Sequence, residues 1–133
     1  MIDYRKEFDD KGYFTCVSIL DDSEREEILS NIVQIENNVI SYPENKKEYE
    51  PNNPSRLRKI NDLVINNKYF LKIAKKPEIL DIVAKCIGGD IKHFGDQLFM
   101  KPPGGVEKTS HQDSPYFPIS PMNLISCWIA LDD

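Results

Sequence analysis

The stretch from Asn123 to Leu131 limits most sharply what this chain can fold into. Read as a strand, it places Ser126, Trp128 and Ala130 on one face and Cys127, Ile129 and Leu131 on the other, because successive side chains in a strand point to opposite sides. Both faces are largely apolar, so such a strand requires cover above and below. It also requires neighbours along both edges, since an exposed apolar edge invites aggregation. Asp90 to Met100 alternates as a second strand, and the β-branched and aromatic run Gly12 to Ile19 reads as an earlier one. Three or four strands result, concentrated in the C-terminal third, and the sequence stops two residues after the apolar stretch. The expectation is an α+β to mainly β fold, of which these residues form the front half.

Helices fill the space between the strands. Asp21-Asp22-Ser23 opens one, with Ser23 and Glu26 spaced as a capping box and Ile28, Ile32, Ile35 and Val39 forming its apolar stripe. Residues 41–55 are polar and punctuated by Pro43, Pro51 and Pro54, which reads as a loop, either a solvated connection or a cover over a site. Apolar character resumes at Arg56 to Asn66, and a short helix follows over Tyr69 to Lys75. Pro77 opens a further helix through Ile79, Ile82, Val83, Cys86 and Ile87, stopped by Gly88-Gly89. The organisation is a single domain over 1–133, with a strand and helices in 1–89 and the later strands in 90–133.

At 133 residues the chain suffices for one ordinary domain, and 40% hydrophobic with 29% charged residues is globular composition. A net charge of −5 argues against a general nucleic-acid binder. No apolar run approaches the roughly 20 residues of a membrane helix. The beginning, Met1 to Glu7, lacks an apolar leader core. The expectation is a cytoplasmic protein with neither nucleic-acid nor membrane partners. Cys16, Cys86 and Cys127 are widely spaced and odd in number, which fits neither a disulfide framework nor a zinc site, and each is expected to pack as a small hydrophobe.

His111-Gln112-Asp113 carries the chemistry. If this segment is a strand, positions i and i+2 share a face, so the imidazole of His111 and the carboxylate of Asp113 can converge on one metal ion. Two histidines and one carboxylate form the facial ligand set of non-haem iron(II) oxygenases. By itself H-x-D is a weak signal, and a lone histidine is commonly a satisfied polar residue.

The surroundings of the motif make it specific. Lys101-Pro102-Pro103, then His111-Gln112-Asp113, then Tyr116-Phe117-Pro118, then Trp128-Ile129-Ala130 together resemble the phytanoyl-CoA dioxygenase family of iron(II)/2-oxoglutarate-dependent oxygenases. Pro77-Glu78-Ile79-Leu80, the glycine pair at 88–89 and the Phe8 to Phe14 element resemble the same family. The resemblance covers nearly the whole chain, as the N-terminal part of a longer domain.

That resemblance implies a double-stranded β-helix, a jelly roll related to the cupins, preceded by helices. It implies iron ligation by His111 and Asp113, and co-substrate contacts from Gln112 and Trp128. Lys59 resembles a basic residue that reaches 2-oxoglutarate, Gln97 lies on the strand leading to the site, and Lys101 stands in the family's K-P-P setting. A dicarboxylate co-substrate suits these residues, because its keto-acid end chelates iron while its far carboxylate needs a cation. Lys59 could equally be a solvated lysine and Trp128 plain core; His93 falls outside every matched motif and reads as a strand histidine. Halogenating relatives in the wider superfamily replace the carboxylate with a small residue, so Asp113 points to hydroxylation, with O2 as oxidant and a small molecule as substrate. Substrate contacts are expected from the 41–55 and 104–120 segments.

The family's second histidine and its co-substrate arginine lie beyond the H-x-D by several tens of residues, past Asp133, and Asp132 and Asp133 do not substitute for them. The expectation is a truncated chain, inactive alone, completed by a C-terminal segment or a second chain. Two rival readings stand beside it: a non-catalytic remnant or half of a split protein that only binds a partner, and a cupin-like module holding zinc or manganese.

Overall fold

In a computed structural model, residues 2–38 and 41–132 are described. Val39, which the apolar stripe of the first long helix was expected to include, and Asp133 lie outside them. Five α-helices and a three-stranded antiparallel sheet make up the described residues, together with two short 3-10 turns. The fold is mixed α+β.

Helix α1 (Tyr4–Lys11) begins at Asp3, whose side chain accepts from the Lys6 N–H, and ends at Gly12. Gly12 adopts φ +78°, a conformation that only glycine takes readily, and its N–H donates to the Phe8 carbonyl at 2.8 Å. That left-handed turn folds the chain back, so that Phe14 packs on Tyr4 and Phe8 with ring centroids 5.0 and 6.3 Å apart. The expected strand over Gly12 to Ile19 is therefore absent. Its aromatic residues are used against a helix, and no neighbouring chain offers them a ladder.

Helix α2 (Asp22–Asn37) is capped two residues earlier than the Ser23–Glu26 spacing suggests. Asp21 accepts from the Glu24 N–H at 2.8 Å and Glu24 accepts from the Asp21 N–H at 3.0 Å, which completes the capping box. Asp, like Ser, is a good acceptor at this position, and the earlier of two competing caps prevails. Ile28 and Ile35 are the buried members of its stripe.

Residues 41–55 are not a plain loop. Strand β1 (Lys47–Glu50) pairs antiparallel with β2 (Asn53–Asn61) across a Pro51-Asn52 turn, with register shifts after Glu48 and Tyr49. Proline and asparagine here mark a hairpin turn and a bulged edge, positions that do not require every backbone donor. Helices α3 (Leu63–Asn66), α4 (Lys68–Ala74) and α5 (Pro77–Ile87) follow. Pro77 stands in the first turn of α5, as its sequence predicts, and α5 packs on α1. Strand β3 (Gln97–Phe99) completes the sheet in the order β1-β2-β3. Of the strand expected over Asp90 to Met100, only these three residues are paired.

The core sits between one face of the sheet and α2 and α3. Ile35, Ile60 and Leu63 are buried, with Leu57, Phe70, Leu98 and Met100 packed around them. Ile60 is fully buried, and withdrawing such a side chain from water contributes about 1.5–3 kcal/mol. Asn123 to Leu131 has no ladder partners among the described residues, and Cys127 and Trp128 are exposed rather than covered. An extended chain becomes a strand only when its backbone donors and acceptors meet a neighbour. Cys86 is buried as expected, Cys16 half-buried.

Candidate metal and co-substrate site

The sheet register builds the first part of the site. Ile60 pairs with Leu98 and both turn toward the helices, so their neighbours turn the other way. Lys59 stands opposite Phe99, and Asn61 opposite Gln97. Across the other edge of β2, Glu48 stands opposite Lys59. One sheet face thus carries Glu48, Lys59 and Phe99 in a row, with Asn61 and Gln97 beside them.

Lys59 is not a solvated lysine. Its side chain is 15% exposed, its ammonium pairs with the Glu48 carboxylate, and it lies 5.7 Å from the centre of the Phe99 ring. The other side of the row is closed by Trp128, which stacks on Phe99 with centroids 5.7 Å apart and planes 21° apart. Trp128 nevertheless remains 77% exposed, so it is a surface platform and not core. Lysine, phenylalanine and tryptophan form a cation–aromatic stack, in which each ring's electron-rich face attracts the charge. Two of the co-substrate candidates, Lys59 and Trp128, are thereby brought together through Phe99. No signal in the sequence singled out Phe99 or Glu48. The strand alternation that groups Phe99 with Gln97 is visible, but its pairing with Lys59 depends on which strands become neighbours.

The second part of the site is the loop from Lys101 to Tyr116. Pro102 to Gly105 form a tight turn, with Gly104 at φ +78° and the Gly105 N–H donating to the Pro102 carbonyl at 2.9 Å. The loop is fastened to the hairpin by Glu50, a carboxylate only 5% exposed, which accepts from the Val106 N–H at 3.2 Å. Its other oxygen, Oε1, has no partner among the described residues and lies against Gly105.

Beyond the turn, His111 and Asp113 meet without a strand. Nε2 of His111 lies 3.4 Å from Oδ1 of Asp113, and both are exposed. Asp113 takes a helical backbone conformation (φ −75°, ψ −32°) and starts the 3-10 turn Ser114–Tyr116, so a local reversal brings the two side chains together. Tyr116 sets its ring edge-on to the imidazole at 6.3 Å. Nδ1 of His111 hydrogen-bonds with the Thr109 carbonyl at 2.8 Å. A carbonyl only accepts, so Nδ1 is the donor in this contact, and Nε2 is the nitrogen left facing Asp113. That is the arrangement of metal-binding histidines, whose second nitrogen is held by a carbonyl or carboxylate.

These residues fit two corners of a divalent iron site: an imidazole nitrogen and a carboxylate oxygen, adjacent and open to solvent. Among the described residues no cluster of three or more His, Cys, Asp or Glu is placed to hold a metal. Gln112 and Lys101 are exposed on the same loop. Among the described residues, no hydrogen bond or ion pair joins the His111–Asp113 pair to the Lys59–Phe99–Trp128 stack. His93 is exposed and lies 3.4 Å from Asp96, whose carboxylate accepts from the Val64 N–H.

A sequence profile described as phytanoyl-CoA dioxygenase (PhyH) matches residues 8–133. The chain belongs to the phytanoyl-CoA dioxygenase family. The human protein called phytanoyl-CoA dioxygenase, peroxisomal, is 36% identical over 92 residues, covering 65% of this chain and 27% of the human one. The mouse protein of the same name is 28% identical over 98% of this chain and 42% of its own length. A Stutzerimonas stutzeri protein called a probable alpha-ketoglutarate-dependent hypophosphite dioxygenase is 25% identical over 97% of this chain and 47% of its own. The chain spans less than half the length of the curated relatives it matches. No solved structure matches it. The matched span contains the H-x-D loop, the K-P-P turn, Lys59 and Trp128, and no helix among the described residues is long and apolar enough to cross a membrane.

Proposed function

We propose that the protein is an iron(II)/2-oxoglutarate-dependent dioxygenase that hydroxylates a small organic substrate. The observation that carries this reading is the His111–Asp113 pair, whose Nε2 and Oδ1 converge while Nδ1 is held by the Thr109 carbonyl. His111 and Asp113 would hold two corners of the iron, and the bound metal would supply oxygen activation coupled to conversion of 2-oxoglutarate into succinate. Lys59 attracts the co-substrate's far carboxylate, and Trp128, Gln112, Gln97 and Lys101 line its approach. Lys59 suits that task because its ammonium is largely withdrawn from water and has three donors to share. The Lys101–Tyr116 loop supplies substrate contacts. His111 and Asp113 supply two of the three ligands such a site uses, and among the described residues no third His, Cys, Asp or Glu joins them. A cytoplasmic location completes the reading.

The test is oxygen-dependent succinate formation by the full-length protein given iron(II) and 2-oxoglutarate. Wild type is expected to form succinate, and His111→Ala and Asp113→Ala to lose it by on the order of 100-fold or more, with weakened metal binding. A non-catalytic binding module forms no succinate in any variant. A zinc or manganese module binds metal through His111 and Asp113 yet forms no succinate.

A further inference from the structure

We propose that Glu48 is a resident competitor for the co-substrate: its carboxylate occupies Lys59 when the site is empty and must share or yield that ammonium when the dicarboxylate arrives. This rests on the reading of Lys59 as the cation for the far carboxylate of 2-oxoglutarate. Glu48 and Lys59 are directly opposed across β1 and β2, so the pairing is set by backbone register and not by a chance rotamer. Lys59 is held on its other side by the Phe99 ring, which leaves its ammonium a narrow range of directions. Glu48 is half exposed, so it is free to swing into solvent without burying an unpaired charge. The ladder is irregular immediately after Glu48, which loosens the edge strand where that movement is needed.

Charge decides the sign. An incoming dicarboxylate that reaches Lys59 with Glu48 still in place meets a like charge on the same ammonium, and one that displaces Glu48 forfeits an existing ion pair. Either route weakens binding of the far carboxylate and leaves the keto-acid end unaffected. Glu48 therefore sets the co-substrate concentration at which the site fills, and it disfavours dicarboxylates specifically.

The experiment is calorimetric titration of the full-length protein, with Mn(II) present and oxygen excluded, by 2-oxoglutarate and by pyruvate, which lacks the far carboxylate. Wild type, Glu48→Gln, Glu48→Asp and Lys59→Met are compared at low and high salt. Glu48→Gln is expected to bind 2-oxoglutarate about fivefold more tightly at low salt, with the gain shrinking at high salt and pyruvate affinity unchanged. Glu48→Asp keeps the charge and should stay close to wild type, and Lys59→Met should weaken 2-oxoglutarate binding in every background. Glu48→Ala serves as a second neutral variant, with the same tightening expected. Unchanged or weaker binding by both neutral variants, with Lys59→Met still damaging, overturns the role of Glu48 and leaves that of Lys59 standing. An unaffected Lys59→Met, or no 2-oxoglutarate binding in any variant, overturns both.

Discussion

Phe99 and Trp128 stack ring on ring, 5.7 Å between centroids and 21° between planes, and this contact ties the unpaired C-terminal segment to the edge of the sheet. The same Phe99 ring receives the Lys59 ammonium on β2. A single side chain thus couples the position of the candidate co-substrate cation to that of the exposed tryptophan.

Phe99→Ala should release Trp128 and unseat Lys59 together. Aromatic pairs of this kind add about 0.5–1.5 kcal/mol beyond the area they cover, so a loss of about 1 kcal/mol in a urea titration is expected. The emission of Trp128, the single tryptophan of these residues, should shift as its stacking partner is removed. Phe99→Leu, which keeps bulk but not the ring face, should recover little of either the stability or the emission. An unchanged spectrum in Phe99→Ala would show that the stack does not form in solution.

Gly105 should not tolerate a side chain. A Cβ there would come within 3.0 Å of both Glu50 Oε1 and the Pro102 carbonyl oxygen. The glutamate could shift, but the carbonyl belongs to the turn itself. Gly105→Ala is expected to cost about 1–3 kcal/mol, the range for overpacking a well-filled position. Because Val106 hangs from Glu50 just before the H-x-D loop, metal affinity should fall alongside stability. Wild-type stability in a thermal melt of Gly105→Ala would rule out the close approach.

Acid should act through Glu24. The Lys76 ammonium, 2.5 Å away, holds its carboxyl below the usual glutamate range, helped by the Asp21 N–H. A carboxyl depressed on folding stabilises the fold above its unfolded value, near 4.3, and that contribution disappears as pH falls through the lower folded value. Lys76 is raised by the same pairing, so its share persists through neutral pH and is lost only in strong alkali. Glu24→Gln keeps an acceptor for the Asp21 N–H and removes the charge. Its urea midpoint should lie below wild type at pH 7, and the gap should close as the pH drops toward 3. A gap of constant size would mean that the ion pair contributes nothing titratable.

The local elements were largely legible in the sequence. Pro77 and Gly88 bound α5 where their backbone chemistry predicts, and the Tyr69 to Lys75 helix stands within one residue at either end. The cap of α2 is ambiguous in the sequence, since Asp21 and Ser23 both offer acceptor oxygens with a glutamate three residues on, and the fold uses Asp21. Residues 41–55 form a hairpin where a loop is expected, because proline and asparagine serve hairpin turns as readily as open loops. Gly12 to Ile19 and Asn123 to Leu131 have the composition of strands, but composition supplies no partner.

For the candidate site, the sequence by itself determined which groups are available: an imidazole and a carboxylate two residues apart, a K-P-P element before them and a tryptophan after them. Their convergence did not need the strand that the spacing suggested. A helical turn at Asp113 and a carbonyl from Thr109 do the same work over a few residues, because contacts at short sequence separation are governed by local backbone geometry. Only the tertiary structure decided that Lys59 faces Glu48 on one side and Phe99 on the other, and that Trp128 closes the row. Those pairings depend on the register of three strands drawn from distant parts of the chain, and register is set by the burial of Ile60 and Leu98 against the helices, a property of the whole fold.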